Sequence, residues 1–155
     1  MARFRFRAAA ALELRQQQEQ AAAATLAQEE GRLREIAHAR DEVDRTRADA
    51  RRAAVTQARA GTDAAAIEWH RNWILGLGVT IVRLTEDLER QAAVVGHAEQ
   101  AWREARRRRL ALEKMRDRAL RRFQQAEARI EMKDMDELAR LRFLAAAADG
   151  GGDQP

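Results

Sequence analysis

IVRLTEDLERQAAVVGHAEQAWREARRRRLALEKMRDRALRRFQQAEARI, residues 81–130, is the stretch that decides the fold. Alternating steps of three and four from Ile81 land on Leu84, Leu88, Gln91, Val95, Ala98, Trp102, Ala105, Arg109, Leu112, Arg116, Ala119, Phe123, Ala126 and Ile130. Twelve of these fifteen positions are apolar. A 3.5-residue apolar repeat sustained over so many turns marks a helix that buries one seam against another helix. Acid-before-base pairs four residues apart line its flanks: Glu86/Arg90, Glu99/Arg103, Glu104/Arg108 and Asp117/Arg121. Each such pair adds about 0.3 kcal/mol to an exposed helix.

Toward the N-terminus, the same spacing continues back through Leu77, Ile74, His70 and Ile67. Residues 61–63, Gly-Thr-Asp, then interrupt it. A glycine can take the left-handed C-terminal cap, and Thr62 or Asp63 can accept from the free N–H groups of the next helix. Gly76-Leu77-Gly78 is the competing turn and would give arms of equal length, but the apolar spacing runs through it unbroken. Before the break, residues 8–58 carry a thinner stripe containing Leu12, Leu26, Leu33, Ile36 and Val43, with eight of fourteen seam positions apolar. The intruding Arg and Glu side chains predict a weak or locally open seam.

Two antiparallel helices follow, about 8–58 and about 64–146, joined by a turn at about 59–63 and followed by a disordered tail at 149–155. Residues 1–148 form a single hairpin in this reading. At 1.5 Å per residue the arms are about 75 Å and about 125 Å long. The second outruns the first by about 30 residues, so residues beyond about 115 are expected to lack a partner within the chain. The unpaired stripe, with Phe123 and Ile130, then calls for burial against another protein.

Composition agrees. Ala, Arg, Glu, Leu and Lys make up 93 of the 155 residues, a helical-rod composition. Only 36 side chains are large and apolar, too few for a globular core of this length and enough for one seam. There is no cysteine, which removes disulfides and thiol catalysis and fits a reducing compartment. His38, His70 and His97 lack ligand spacing, so no metal is expected. No phosphate-binding glycine loop occurs, and no cofactor or small-molecule substrate is expected. Carboxylate neighbours such as Asp134 and Asp136 have no cleft to shift their protonation, so the chain reads as no enzyme. The longest uncharged stretch, residues 72–82, has 11 residues, against about 20 for a membrane span. The first residues lack the apolar core of a secretory signal, and Glu13 and Glu19 follow too soon for a transit peptide. The reading is a soluble cytoplasmic protein.

Two surfaces suggest contacts. Residues 101–122 hold ten basic and three acidic side chains, which suits an acidic partner or, failing that, a solvated face. Nucleic acid is disfavoured, because acidic blocks flank the run and no aromatic is interleaved for base stacking. Trp69 and Trp73 lie four apart on the flank of the seam. They either pad the turn or form a docking patch, in which tryptophan is enriched.

Four ordered landmarks resemble the flagellar export protein FliJ family. They are Phe4-Arg5-Phe6-Arg7 followed by Leu12, Leu14 and Arg15; Trp69, Trp73, Ile74, Leu77 and Ile81 after Gly61; Ala101-Trp102-Arg103-Glu104 with Leu110 and Leu112; and Glu131-Met132-Lys133-Asp134-Met135-Asp136-Glu137-Leu138-Ala139. The resemblance implies an all-α, long antiparallel two-helix coiled coil, similar to the central stalk of rotary ATPases. It implies a cytoplasmic component of type III export at the flagellar basal body, held at the inner membrane only through partners. Those partners are a hexameric export ATPase, the cytoplasmic domain of the export gate, and export chaperones. By position, Phe123, Ile130, Lys133, Met135, Asp136, Glu137 and Leu138 would face the ATPase, and Trp69, Trp73 and Leu77 the gate. Gly76 and Gly78 depart from the family pattern near that gate surface. A generic coiled-coil scaffold and an Arg-rich nucleic-acid binder are the alternatives.

Overall fold

A computed structural model of the chain describes residues 3–61 and 63–149, with side chains to residue 145. Two helices account for nearly all of it: α1, Ala9–Arg59, and α2, Ala64–Asp149. No strand occurs among the described residues. The fold is an all-α helical hairpin whose two long helices pack against each other. The described chain divides into two compact units, residues 16–107 and residues up to 15 together with those from 108 onward.

In the 16–107 unit the chain reverses just after Arg59. The Ala60 N–H reaches the carbonyls of Thr56 and Gln57, and the Gly61 N–H that of Ala58. Gly61 has φ of +79°, the left-handed conformation that lets a helix stop without a Cβ clash. Asp63 immediately precedes α2, its carbonyl accepting from the Ile67 N–H. Thr62, the other expected cap, lies outside the described residues, as do residues 150–155 of the expected tail; Asp149 is the last residue of α2. Gly76 and Gly78 make no turn, and α2 passes through both.

The seam of this unit is thin. Leu26, Leu33, Ile36 and Val43 on α1 and Ile74, Ile81, Leu84, Leu88, Val95 and Trp102 on α2 are each half-buried. Leu77 is covered to 9% exposure. Ile67, expected in the seam, is exposed instead, because it sits in the first turn of α2 where α1 is ending. Polar side chains fill seam positions and find each other across it. Gln91 Nε2 donates to the Glu29 carboxylate at 2.7 Å and to its carbonyl at 3.1 Å. Arg32 holds the same carboxylate at 3.0 Å. Such contacts replace water at the buried polar groups, which would otherwise oppose closure.

In the other unit the chain starts with an extended strap. Arg3, Arg5 and Arg7 are exposed while Phe4, Phe6 and Ala8 are half-buried, the alternation of an extended segment with one covered face. The Phe4 ring lies 5.6 Å from that of Phe123, tilted by 54°. Leu12, in the first turns of α1, is 6% exposed. The expectation that residues beyond about 115 lack a partner is therefore corrected. The strap carries the chain's own cover along α2 as far as Phe123, and Leu112, Ala119, Leu120 and Phe123 are half-buried. From residue 128 to 145, every side chain is exposed.

The flanking ion pairs differ in part from the expected set. Arg103 pairs with Glu99 four residues back, as expected. Arg90 pairs with Asp87 rather than Glu86, and Arg121 donates to the carbonyl of Asp117 rather than its carboxylate. Arg109 and Glu113 form a reversed-order pair at 2.7 Å. On an exposed helix, three- and four-residue spacings are nearly equivalent in energy, so the rotamer decides.

Candidate functional site

The chain offers surfaces rather than a cleft. The first lies on α2 beyond Phe123. Ile130, Met132, Met135, Leu138, Leu141, Phe143 and Leu144 are each more than half exposed. Steps of two, from Ile130 to Met132 and from Leu141 to Phe143, spread them around more than one face of the helix. Lys133, Asp136 and Glu137 stand exposed among them. A solvent-exposed helix gains nothing in stability from so many large apolar side chains in water. Of the residues expected to face a partner here, Phe123 differs from the rest, since Phe4 covers part of its ring.

The second surface lies near the turn. Trp69 and Trp73 stack, their ring centroids 6.3 Å apart and their planes within 12°. Trp69 also meets His70 edge-on at 4.9 Å. His70 lies within 2.6 Å of Gln57 Oε1 through its Nε2; because a carbonyl oxygen only accepts, that nitrogen carries the proton. This bond orients the imidazole, whose edge packs against the Trp69 ring. Trp69 is 62% and Trp73 46% exposed, so α1 leaves both open. Leu77 is different. Grouped with the tryptophans in the sequence reading, it lies inside the seam and offers a partner no surface. Leu75, Val79 and Val82 form a further exposed apolar row on the same helix. The seam reading passed over them because they fall away from the 3.5-residue track, although their own four- and three-residue spacing was visible.

In the 16–107 unit Arg47 crosses the seam to Gly78. A Cβ on Gly78 would stand 3.2 Å from Arg47 Nη2 and 3.3 Å from its Cζ, so the missing side chain makes room for the guanidinium. Trp102 is capped on its outer side by Arg106, whose guanidinium carbon is 5.3 Å from the ring centroid, within cation–π range. Among the described residues there is no group of three or more potential metal ligands. No helix is long and apolar enough to cross a membrane.

The model of the flagellar FliJ protein matches residues 8–148, nearly the whole chain. The chain belongs to the flagellar FliJ protein family. This FliJ-family chain is thereby a component of the flagellar type III export system. Among solved structures, a protein from Chlamydia trachomatis described as a YscO homolog aligns over 94% of this chain and 99% of its own, with 19% identity and a TM-score of 0.47. No curated protein matches the chain.

Proposed function

We propose that this FliJ-family chain is a non-catalytic cytoplasmic stalk and adaptor of the export apparatus. Its uncovered arm docks into the hexameric export ATPase, and its tryptophan surface meets the cytoplasmic domain of the export gate. Export chaperones are further partners, and association with the basal body at the inner membrane is through these proteins. The observation that carries the reading is the exposed apolar run from Ile130 to Leu144 on a continuous helix. A ring closing around that helix would remove its apolar surface from water, which is favourable at about 25 cal/mol per Å² before the costs of association. Lys133, Met135, Asp136, Glu137 and Leu138 lie within that run. The excess of basic side chains at 101–122 suits an acidic ring lumen, an attraction that weakens as salt rises. For the gate-facing role the support is the stacked, exposed Trp69–Trp73 pair.

The test mixes the chain with its export ATPase and follows both ATP hydrolysis and hexamer formation. Stimulation of both is expected, and Met135→Asp with Leu138→Asp should lower affinity about tenfold or more while leaving helicity unchanged. No complex and no stimulation by the unaltered chain would discard the proposal in favour of a generic coiled-coil scaffold.

A further inference from the structure

The back of α2 near the turn carries an apolar row that neither α1 nor the tryptophan pair uses. Leu75, Val79 and Val82 lie four and three residues apart and are each more than half exposed. At about 100° per residue the row points away from Leu77, which lies inside the seam. Trp69 and Trp73 stand about 110° and about 150° round the helix from it. The row lies wholly within the 16–107 unit. Charges bracket it on the same face, within about 50° of its centre line: Glu68 and Arg71 before it, Glu86 and Arg90 after it. All four are exposed. Among the described residues, Glu68, Arg71 and Glu86 form no ion pair. Arg90 is held by Asp87, which leaves Glu86 open and leaves the guanidinium further donors. Such a face fits a partner that is apolar at its centre and carries the reverse order of charges along its length.

The same face of a second copy has that chemistry. Along the chain it reads acid, base, apolar row, acid, base. Laid parallel in register on itself, it sets like charge on like; laid antiparallel, it sets each acid against a base. Leu75 and Val82 are four and three residues from Val79, Arg71 and Glu86 eight and seven, and Glu68 and Arg90 eleven each. We infer that a second copy of this chain packs antiparallel on this face, with the two-fold axis beside Val79. Val79 then meets its counterpart, Leu75 meets Val82 of the other copy, Arg71 meets Glu86, and Glu68 meets Arg90. Every pairing between different positions occurs twice, so the interface is self-complementary and closes as a dimer. Glu89, on the same edge of the face as Arg71, brings a second carboxylate toward that guanidinium. Three apolar side chains per copy fall short of a standard interface of about 1,600 Å². The dimer is therefore weak and reversible, with a Kd of about tens of micromolar. It uses none of the residues assigned above to the ATPase or the gate and leaves both tryptophans uncovered.

Sedimentation equilibrium of the full-length chain tests it. The unaltered chain should be mostly dimer at about 200 μM and monomer at about 2 μM. Val79→Lys sets two like charges against each other at the axis, on a position that the hairpin itself leaves exposed, and should raise the Kd about tenfold or more. Arg71→Glu and Glu86→Arg should each weaken the dimer, and mixing these two variants should restore it, because each offers the charge that the other lacks at both contacts. Circular dichroism checks that every variant remains helical. The chain has no cysteine, so single cysteines report the orientation. Val79→Cys should crosslink to its counterpart under oxidation, whereas Glu68→Cys, far from the axis, should not. A chain that stays monomeric at about 200 μM would overturn the inference. So would a dimer indifferent to Val79→Lys, charge variants that fail to complement each other, or Glu68→Cys crosslinking as readily as Val79→Cys. A monomer in which Val79→Lys instead abolishes binding of the cytoplasmic domain of the export gate would overturn it too, and would give the face to that partner.

Discussion

Arg47 and Gly78 illustrate how much of this molecule is settled at single positions. A mid-helix glycine costs about 1 kcal/mol relative to alanine, and α2 carries glycines at both 76 and 78. At Gly76 a Cβ would meet nothing within 4 Å, whereas at Gly78 it would press on the Arg47 guanidinium. Gly76→Ala is therefore expected to raise stability by about 0.5–1 kcal/mol. Gly78→Ala should gain markedly less, because Arg47 must give way. Urea denaturation of both variants checks this, and equal gains would show that the Arg47 contact contributes nothing. The seam itself was legible from the sequence. Arg15, Glu19, Glu29, Arg40 and Arg47 break the apolar track of α1, yet all lie at half-buried positions. A long side chain can follow the heptad with its stem and still keep its head wet. What could not be read was which polar groups meet across the seam. The Gln91–Glu29 and His70–Gln57 contacts depend on the stagger of the two helices, which composition does not encode.

At the scale of elements, the turn and the strap show opposite degrees of legibility. Gly61 followed by Asp63 announces a stop and a restart in ordinary capping chemistry, and the reversal lies there. The strap was missed as structure, although its signal was present. Phe4-Arg5-Phe6-Arg7 alternates with a period of two, and the half-buried positions follow that period. A helical search frame discards such a pattern, and a four-residue alternation is too short to stand alone. The consequence was misplaced cover: Phe123 lies beneath Phe4, and the bare part of α2 begins about a turn later. Phe4→Ala is accordingly expected to lower stability by about 1–2 kcal/mol through lost burial and ring contact. Phe123→Ala should cost a similar amount, and the double variant little more than either alone. Chemical denaturation of the three variants supplies the comparison; additive losses would mean that the two rings do not act as a pair.

For the whole molecule, the central claim is that α2 beyond residue 128 is surface held ready for another chain. The run was visible as an apolar stripe outlasting α1, and the family to which the chain belongs places the chain in the export system. What the stripe alone cannot express is the identity of its host, because exposed methionine and leucine specify burial and little else. Amide hydrogen exchange across the chain, with and without the export ATPase, addresses this directly. In the free protein, amides at 128–145 should exchange fastest within α2, since no tertiary contact protects them. Added ATPase should slow exchange there strongly while leaving the seam around Leu77 and Leu84 little changed. Exchange at 128–145 that stays fast in the presence of the ATPase would contradict the claim.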